Sequence, residues 1–315
     1  MSVLCIGEAL IDMICTDKGS SLSDGQNFLK KPGGAPTNVA AAIGALGGSV
    51  ALSAKVGNDP FGKQLNQVME DFQVDTKHVH LDPNHFTTFA FVSLMLDGER
   101  DFVFNRGADA QLSVEEVAAI DLSSTNIIHF GSATAFLDGP LNAAYYYLLE
   151  SAKNQGKTIS FDPNYRHLLF GDKQESFIKQ SWIYLKQAHF TKLSDEEAML
   201  ITGKASLEEA AENLLANIPG VFTITLGKDG TLLGLQGKTY IIPSIQIKPT
   251  DTTGAGDAFV GAVLYQLDEA SLNPANLEFE DWSKIIQNAN KAGARTCEYM
   301  GAMEAFKHLN NSIFN

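Results

Sequence analysis

Short apolar runs alternate with longer amphipathic stretches along most of this chain. Val3–Ile6, Val50–Ala54, Ile127–Phe130, Thr158–Phe161, His189–Thr191 and Val221–Thr225 read as buried strands, being too short for helices and bounded by turn residues. Pro36–Leu46, Phe61–Phe72, Leu141–Lys153, Phe177–Lys186, Glu196–Thr202, Ala255–Leu267 and Trp282–Glu298 read as helices. The first carries Pro in its first turn and ends at Gly47-Gly48. Thr231–Leu235 and Thr239–Ile242 follow with hairpin signals. This alternation predicts an α/β protein: a mainly parallel central sheet covered by helices on both faces.

Two segments break the alternation. Leu10–Lys31 and Thr87–Asn105 show the period of two expected of half-buried strands. Thr88–Met95 is the clearest, followed by the turn Asp97–Arg100 and a second strand, Asp101–Phe104. The expectation is one domain over 1–315 with a small β-sheet lid at about 10–32 and 86–106. A flap of this kind would exclude water from a pocket; an edge extension of the main sheet is the plainer account. Gly33 to Ala54 contains no charged residue and is long enough to span a bilayer. Pro32-Gly33-Gly34 and Gly47-Gly48 divide it, so it reads as a buried helix, a turn and a strand.

Composition narrows the class. The 315 residues are 44% hydrophobic and 19% charged, ordinary for a globular protein. A net charge of −14 argues against nucleic-acid backbones and anionic membranes as partners, though not against a nucleotide in a local pocket. Cys5, Cys15 and Cys297 are odd in number and lack metal-ligand spacing. They suggest a reducing cytoplasm, and no basic segment precedes the first apolar run as in a signal peptide.

The strongest chemical pattern is Thr253-Gly254-Ala255-Gly256-Asp257, with Asp251 upstream and a helical pattern after it. Small residues let backbone N–H groups approach an anion, and the helix they open points its positive end at the same place. A carboxylate there needs a compensating role. As a general base, Asp257 would take a hydroxyl proton while Gly254, Ala255 and Gly256 hold a transferring phosphate. Charge at a helix N-terminus is the bland alternative. Gly33, Gly34 and Asn38 open another helix and suit a polyhydroxylated ligand, as does Asp12 near the lid. Asn164 and Arg166 lie where a parallel strand ends, the usual ligand side of an α/β sheet.

Three motifs are discounted. Gly57–Gln64 matches a phosphate loop until Gln64, where Ser or Thr would hold magnesium. Ser194/Glu197, Ser113/Glu116 and Ser206/Glu209 have capping-box spacing, leaving a metal role for Glu197 secondary. His78 and His80 share a face if extended, but no cluster joins them to make a metal site.

Taken together these segments resemble the PfkB (ribokinase-like) carbohydrate kinases over nearly the whole chain. Gly33–Asn38 and Asp251–Asp257 are similar to the two family signatures, and Val56–Gly62 to a third conserved pattern. Gly7–Asp12, Asp97–Phe102, Asp162–Arg166 and Lys192–Glu197 resemble the fructokinase branch, Asp162–Arg166 being shared with 2-keto-3-deoxygluconate kinases. The resemblance implies a ribokinase-like three-layer α/β/α fold, ATP as co-substrate, Mg²⁺, and transfer to the 6-hydroxyl of fructose. The sugar alternatives are 2-keto-3-deoxygluconate and ribose. It implies that Asp12, Gly34, Asn38, Asn105, Arg106 and Arg166 line the sugar pocket. Lys192, Thr225, Gly227, Gly230 and Asn288 would border ATP, and Asp251 and Thr253 would hold a monovalent cation, usually K⁺. It also implies dimers paired through lids. Ser194 stands where many members carry Asn near the metal, which leaves Glu197 between metal contact and capping.

Overall fold

The computed structural model describes residues 2–95 and 100–314. The expected turn at Asp97–Arg100 lies outside them apart from Arg100, the first residue of a strand. The strands are β1 (Val3–Ile6), β2 (Leu10–Cys15), β3 (Phe28–Gly33), β4 (Val50–Gly57), β5 (Asp75–Asp82), β6 (Thr88–Leu94), β7 (Arg100–Asn105), β8 (Ile127–Phe130), β9 (Thr158–Phe161), β10 (Phe190–Ser194), β11 (Val221–Thr225), β12 (Thr231–Leu235) and β13 (Lys238–Ile242). Nine form one sheet, in the order β13-β12-β11-β10-β9-β8-β1-β4-β5. It is parallel from β11 to β5, and β12 and β13 join antiparallel.

β1 shows why the sheet needs cover on both faces. Val3 and Cys5 enter one core, with helices Ala35–Ala45, Ala255–Glu269 and Phe279–Thr296. Leu4 and Ile6 point the other way, into a core with helices Pro140–Asn154, Gln174–Leu185 and Leu207–Asn217. Each fully buried aliphatic chain contributes about 1.5–3 kcal/mol, so neither face tolerates water. β5 departs from the sequence reading, which assigns no strand to 75–82. It is an edge strand on β4, and its polar, half-buried sequence lacks the apolar run that marks interior strands.

β3, β2, β6 and β7 make a separate four-stranded sheet. β3 runs through Gly34 straight into the helix Ala35–Ala45, so Gly33 to Ala54 is a strand end, a helix and β4. Among the described residues no helix is long and apolar enough to cross a membrane.

Two carboxylates pin the passage between the sheets. Asp59 accepts from the Phe61 and Gly62 amides at 2.9 Å each, capping the helix Pro60–Asp71. It also accepts from the Thr87 amide and hydroxyl at 2.8 Å each, just before β6. A carboxylate so placed is why Gly57–Gln64 is not a phosphate cradle. Buried Asp109 accepts from the Thr88 hydroxyl, from Thr134 Oγ1 at 2.9 Å and from Arg106 Nε at 3.3 Å, where β7 ends.

Candidate active site

The parallel strands deliver their carboxyl ends to one side of the sheet. Gly7 and Glu8 follow β1, Gly131 and Ser132 follow β8, Asp162 to Asn164 follow β9, and Ser194 and Thr225 end β10 and β11. The helix Ala255–Glu269 starts against this row. Its N-cap, Gly254, has φ +81°, and a Cβ there would collide with Ala302, so the backbone and the packing both demand glycine.

Asp257 lies in the first turn and is partly covered. Asn38 Nδ2 donates to its Oδ2 at 2.8 Å from the first turn of the helix Ala35–Ala45. Asn38 Oδ1 is buried with no protein partner among the described residues, so the amide still offers an acceptor. Burial pushes the Asp257 carboxyl above the usual carboxylate range, while Asn38, Lys192, Arg166 and Asn164 pull it back. A raised but ionisable carboxylate is what a general base near neutrality requires.

Lys192 is the buried cation of the site. Its Nζ is 3.2 Å from Asp162 Oδ2, and a Cβ at Gly256 would stand 3.3 Å from it. The ammonium therefore lies beside the glycine turn. Burial works against its charge, but Asp162, Glu197 and Asp257 outweigh that and hold it protonated. Arg166 is exposed, bonded through Nη1 to the Tyr165 carbonyl at 3.2 Å, and its field reaches both Asp257 and Asp12. The Asp12 carboxylate lies over Gly33 so closely that a side chain there would overlap it. Burial raises Asp12 to about 6, with Arg166 opposing.

Asn164 adopts a left-handed φ of 49° while buried, and its Nδ2 donates to the Gly131 carbonyl at 3.2 Å. A non-glycine residue held there is unusual and marks a constrained site. Gly34 has φ +107° and lies against the Glu8 carbonyl. Asn105 pairs with Phe89 across β6–β7, whereas Asp12 pairs with Ala90, so the alternation sets Asn105 and Asp12 on opposite faces. Asn105 lines a separate cleft with Asn84 and Phe86. Arg106 donates to Asp109, to the Thr134 carbonyl at 3.1 Å and to the Asp138 carbonyl at 2.6 Å. Its guanidinium braces a loop and leaves the cluster around Asp257 to other residues.

On the other flank, Asp251 Oδ1 accepts from Thr253 N at 3.0 Å and Thr253 Oγ1 at 2.7 Å, and Oδ2 accepts from Gly301 N at 2.8 Å. Burial would raise its pKa, but these donors hold it below the ordinary value. Gly227 and Gly230 form the turn between β11 and β12, with Thr225 at its start. Asn288 Nδ2 donates to Gln266 Oε1 at 2.8 Å, tying the last two long helices together. The capping boxes at Ser113/Glu116 and Ser194/Glu197 are complete. At Ser206 only half forms, because Glu209 turns to the Ala205 amide. Glu197 also accepts from the Tyr165 amide at 2.8 Å, so both of its oxygens are engaged.

Sequence reasoning gives no role to Asp162, Glu8 or Asn290. Asn290 is buried and bonds Thr231, Ile242 and Pro243, fixing the β12–β13 hairpin. Apolar periodicity carries no signal for such long-range polar ties.

The family model described as pfkB family carbohydrate kinase matches residues 1–309. Fructokinase-1 of Zea mays is 36% identical over 307 residues, covering 96% of this chain and 93% of that protein. The crystal structure of fructokinase from Vibrio cholerae O395 with fructose, ADP and calcium ion bound superposes with a TM-score of 0.81 at 33% identity, covering 100% of this chain and 98% of that one. An uncharacterized sugar kinase from Pyrococcus horikoshii in complex with ATP gives 0.81 at 31% identity over 96% and 94% of the two chains.

Proposed function

The chain belongs to the pfkB family of carbohydrate kinases, and from that premise we propose that it is an ATP-dependent fructokinase, transferring the γ-phosphoryl group to the 6-hydroxyl of fructose. The observation that carries this reading is Asp257 at the mouth of the Gly254–Gly256 turn, held by Asn38 and beside Lys192. The fructokinase relatives support the choice of sugar.

In this reading Asp12, Gly33, Gly34, Asn38 and Asn164 hold the sugar. The free Oδ1 of Asn38 accepts from a sugar hydroxyl while its Nδ2 keeps the base in place. Asp257 removes the proton of the attacking hydroxyl, which displaces ADP in line. The amides of Gly254, Ala255 and Gly256, with Lys192 and Arg166, stabilise charge on the phosphoryl oxygens. Thr225, Gly227, Gly230 and Asn288 border the nucleotide. The four-stranded sheet, over about 10–32 and 86–106, is the lid that excludes water.

A divalent ion, Mg²⁺ in this proposal, neutralises phosphate charge when bound. Glu197 fits it through intervening water, since both oxygens already accept backbone N–H groups. Asp251, held ionised, and Thr253 present hard oxygen donors that fit K⁺. Ile14 and Leu29 are exposed apolar neighbours on the lid, which supports pairing of lids in a homodimer. The working place of the enzyme is the cytoplasm.

A carboxylated acceptor such as 2-keto-3-deoxygluconate would need another free cation, and Arg106 is committed elsewhere. A coupled ADP assay over fructose, ribose and 2-keto-3-deoxygluconate, with and without K⁺, decides the matter. Faster turnover of either rival sugar rejects the fructose assignment.

A further inference from the structure

The helix that presents Asn38 begins without a cap of its own. Its N-cap is Gly34, which has no side chain, and its first turn contains no acidic residue. Pro36 contributes no N–H. An uncapped helix start inside a protein leaves amides unsatisfied, so the missing acceptor has to come from elsewhere.

It comes from Glu8, immediately beyond β1. Glu8 is only 1% exposed. Its Oε1 accepts from Ala35 N at 3.0 Å and from Ala133 N at 3.4 Å, and its Oε2 accepts from Ser132 Oγ at 2.5 Å. Its main-chain carbonyl accepts from Thr37 Oγ1 at 2.8 Å. One residue thus grips the first turn twice and fastens it to the loop after β8. Asn38 N in turn donates to the Gly34 carbonyl at 2.8 Å, so the position of Asn38 is locked to the same turn.

We propose that Glu8 is a positioning residue for the phosphoryl acceptor site: it supplies the cap missing from the helix Ala35–Ala45, and so fixes the turn Gly33-Gly34 and aims Asn38 at Asp257. This deepens the kinase reading above and rests on it for the identity of the sugar. The route is short and continuous, from the β1 end to Glu8, to Ala35 N, to the first turn, to Asn38 Nδ2, to Asp257 Oδ2. What matters along it is acceptance of a hydrogen bond at Ala35 N. A glutamine, whose amide oxygen accepts equally well, would serve, and an apolar residue of similar volume would not.

The test compares Glu8→Leu and Glu8→Gln with wild type in three measurements: kcat and KM for fructose, ADP affinity by calorimetry, and amide hydrogen exchange by mass spectrometry. Glu8→Leu should lose about 10²-fold in kcat/KM for fructose, the size of a small misplacement of reacting groups. Its ADP affinity should stay unchanged, and exchange should quicken in the segment 34–38 while the helix Ala255–Glu269 stays protected. Glu8→Gln should recover most of the loss. A residue that only supports the fold would lower the melting temperature without this split between sugar and nucleotide. The proposal is overturned if folded Glu8→Leu keeps wild-type kcat/KM, if ADP binding weakens equally, if Glu8→Gln fails to recover, or if exchange at 34–38 does not change. Should Glu8→Leu not fold, Thr37→Val removes only the hydroxyl tie to the Glu8 carbonyl. It should show the same split at smaller size, and unchanged sugar kinetics there overturn the proposal. Wild type that turns over no fructose defeats the fructokinase reading instead, and the exchange measurement still decides the role of Glu8.

Discussion

Asn38 Nδ2 lies 2.8 Å from Asp257 Oδ2, joining two helix N-termini whose residues are 219 positions apart. The bond keeps the carboxylate aimed and restrains a pKa that burial drives upward. Removing the carboxylate's charge while keeping its shape isolates its role. Asp257→Asn should lose at least ~10²-fold in kcat, the size expected of a general base, with fructose still binding. Steady-state kinetics with a thermal-shift titration of fructose measure both, and near-normal turnover would reject the assignment.

Asn38→Leu deletes the donor and the free acceptor together. The Asn38 bond lowers the Asp257 pKa, so its loss must raise it further. The acidic limb of the pH dependence of kcat/KM should therefore move to higher pH, with KM for fructose rising as well. A limb that stays in place would show that Asp257 is not the titrating group.

Lys192→Met leaves Asp162, Glu197 and Asp257 without their buried counter-charge. Breaking a buried pair by removing one partner destabilises by about 3–5 kcal/mol. The double variant Lys192→Met/Asp162→Leu should regain much of that stability but little turnover. Urea unfolding and kcat separate the two effects.

Burial pushes Glu8 up to about 7 from 4.5. Between these values the folded protein holds a proton that the unfolded chain has released. The Glu8 contribution to stability therefore falls as pH rises across that window, by at most about 3 kcal/mol, and is level above it. Buried His129, pushed down to about 3 from 6.5, acts oppositely and loses stability as pH falls below 6.5. The difference in melting temperature between wild type and Glu8→Gln isolates the first effect. Taken as wild type minus variant, it should rise on going from pH 7 toward pH 4.5, and a pH-independent difference would contradict it.

The main sheet was legible because short runs such as β1 are apolar on both faces, a pattern that a covered parallel sheet explains. Asp257 and the Gly254–Gly256 turn were legible because glycine spacing and helix polarity act locally. β5 was not, because an edge strand reading Asp-Thr-Lys-His-Val-His-Leu-Asp has no apolar run to betray it. The face occupied by Asn105 depends on register with β6, which one strand does not encode. Lys192 was given a role through family likeness, while its partner Asp162, present in a matching motif, was given none, because their pairing joins neighbouring strands far apart in sequence. Glu8 and Asp109 act through hydrogen bonds to distant segments, and periodicity is blind to them.

The pins at Asp59 and Asp109 sit where β6 begins and β7 ends, next to the body. If the small sheet swings during turnover, those pins make it a lever with its fulcrum at the sugar end. Asp12, two residues into β2, then travels little, whereas Ile14, Leu29 and Leu94 sweep the largest arc. The residues proposed to hold the sugar then stay still, and the outer rim, the surface proposed for pairing, carries the stroke.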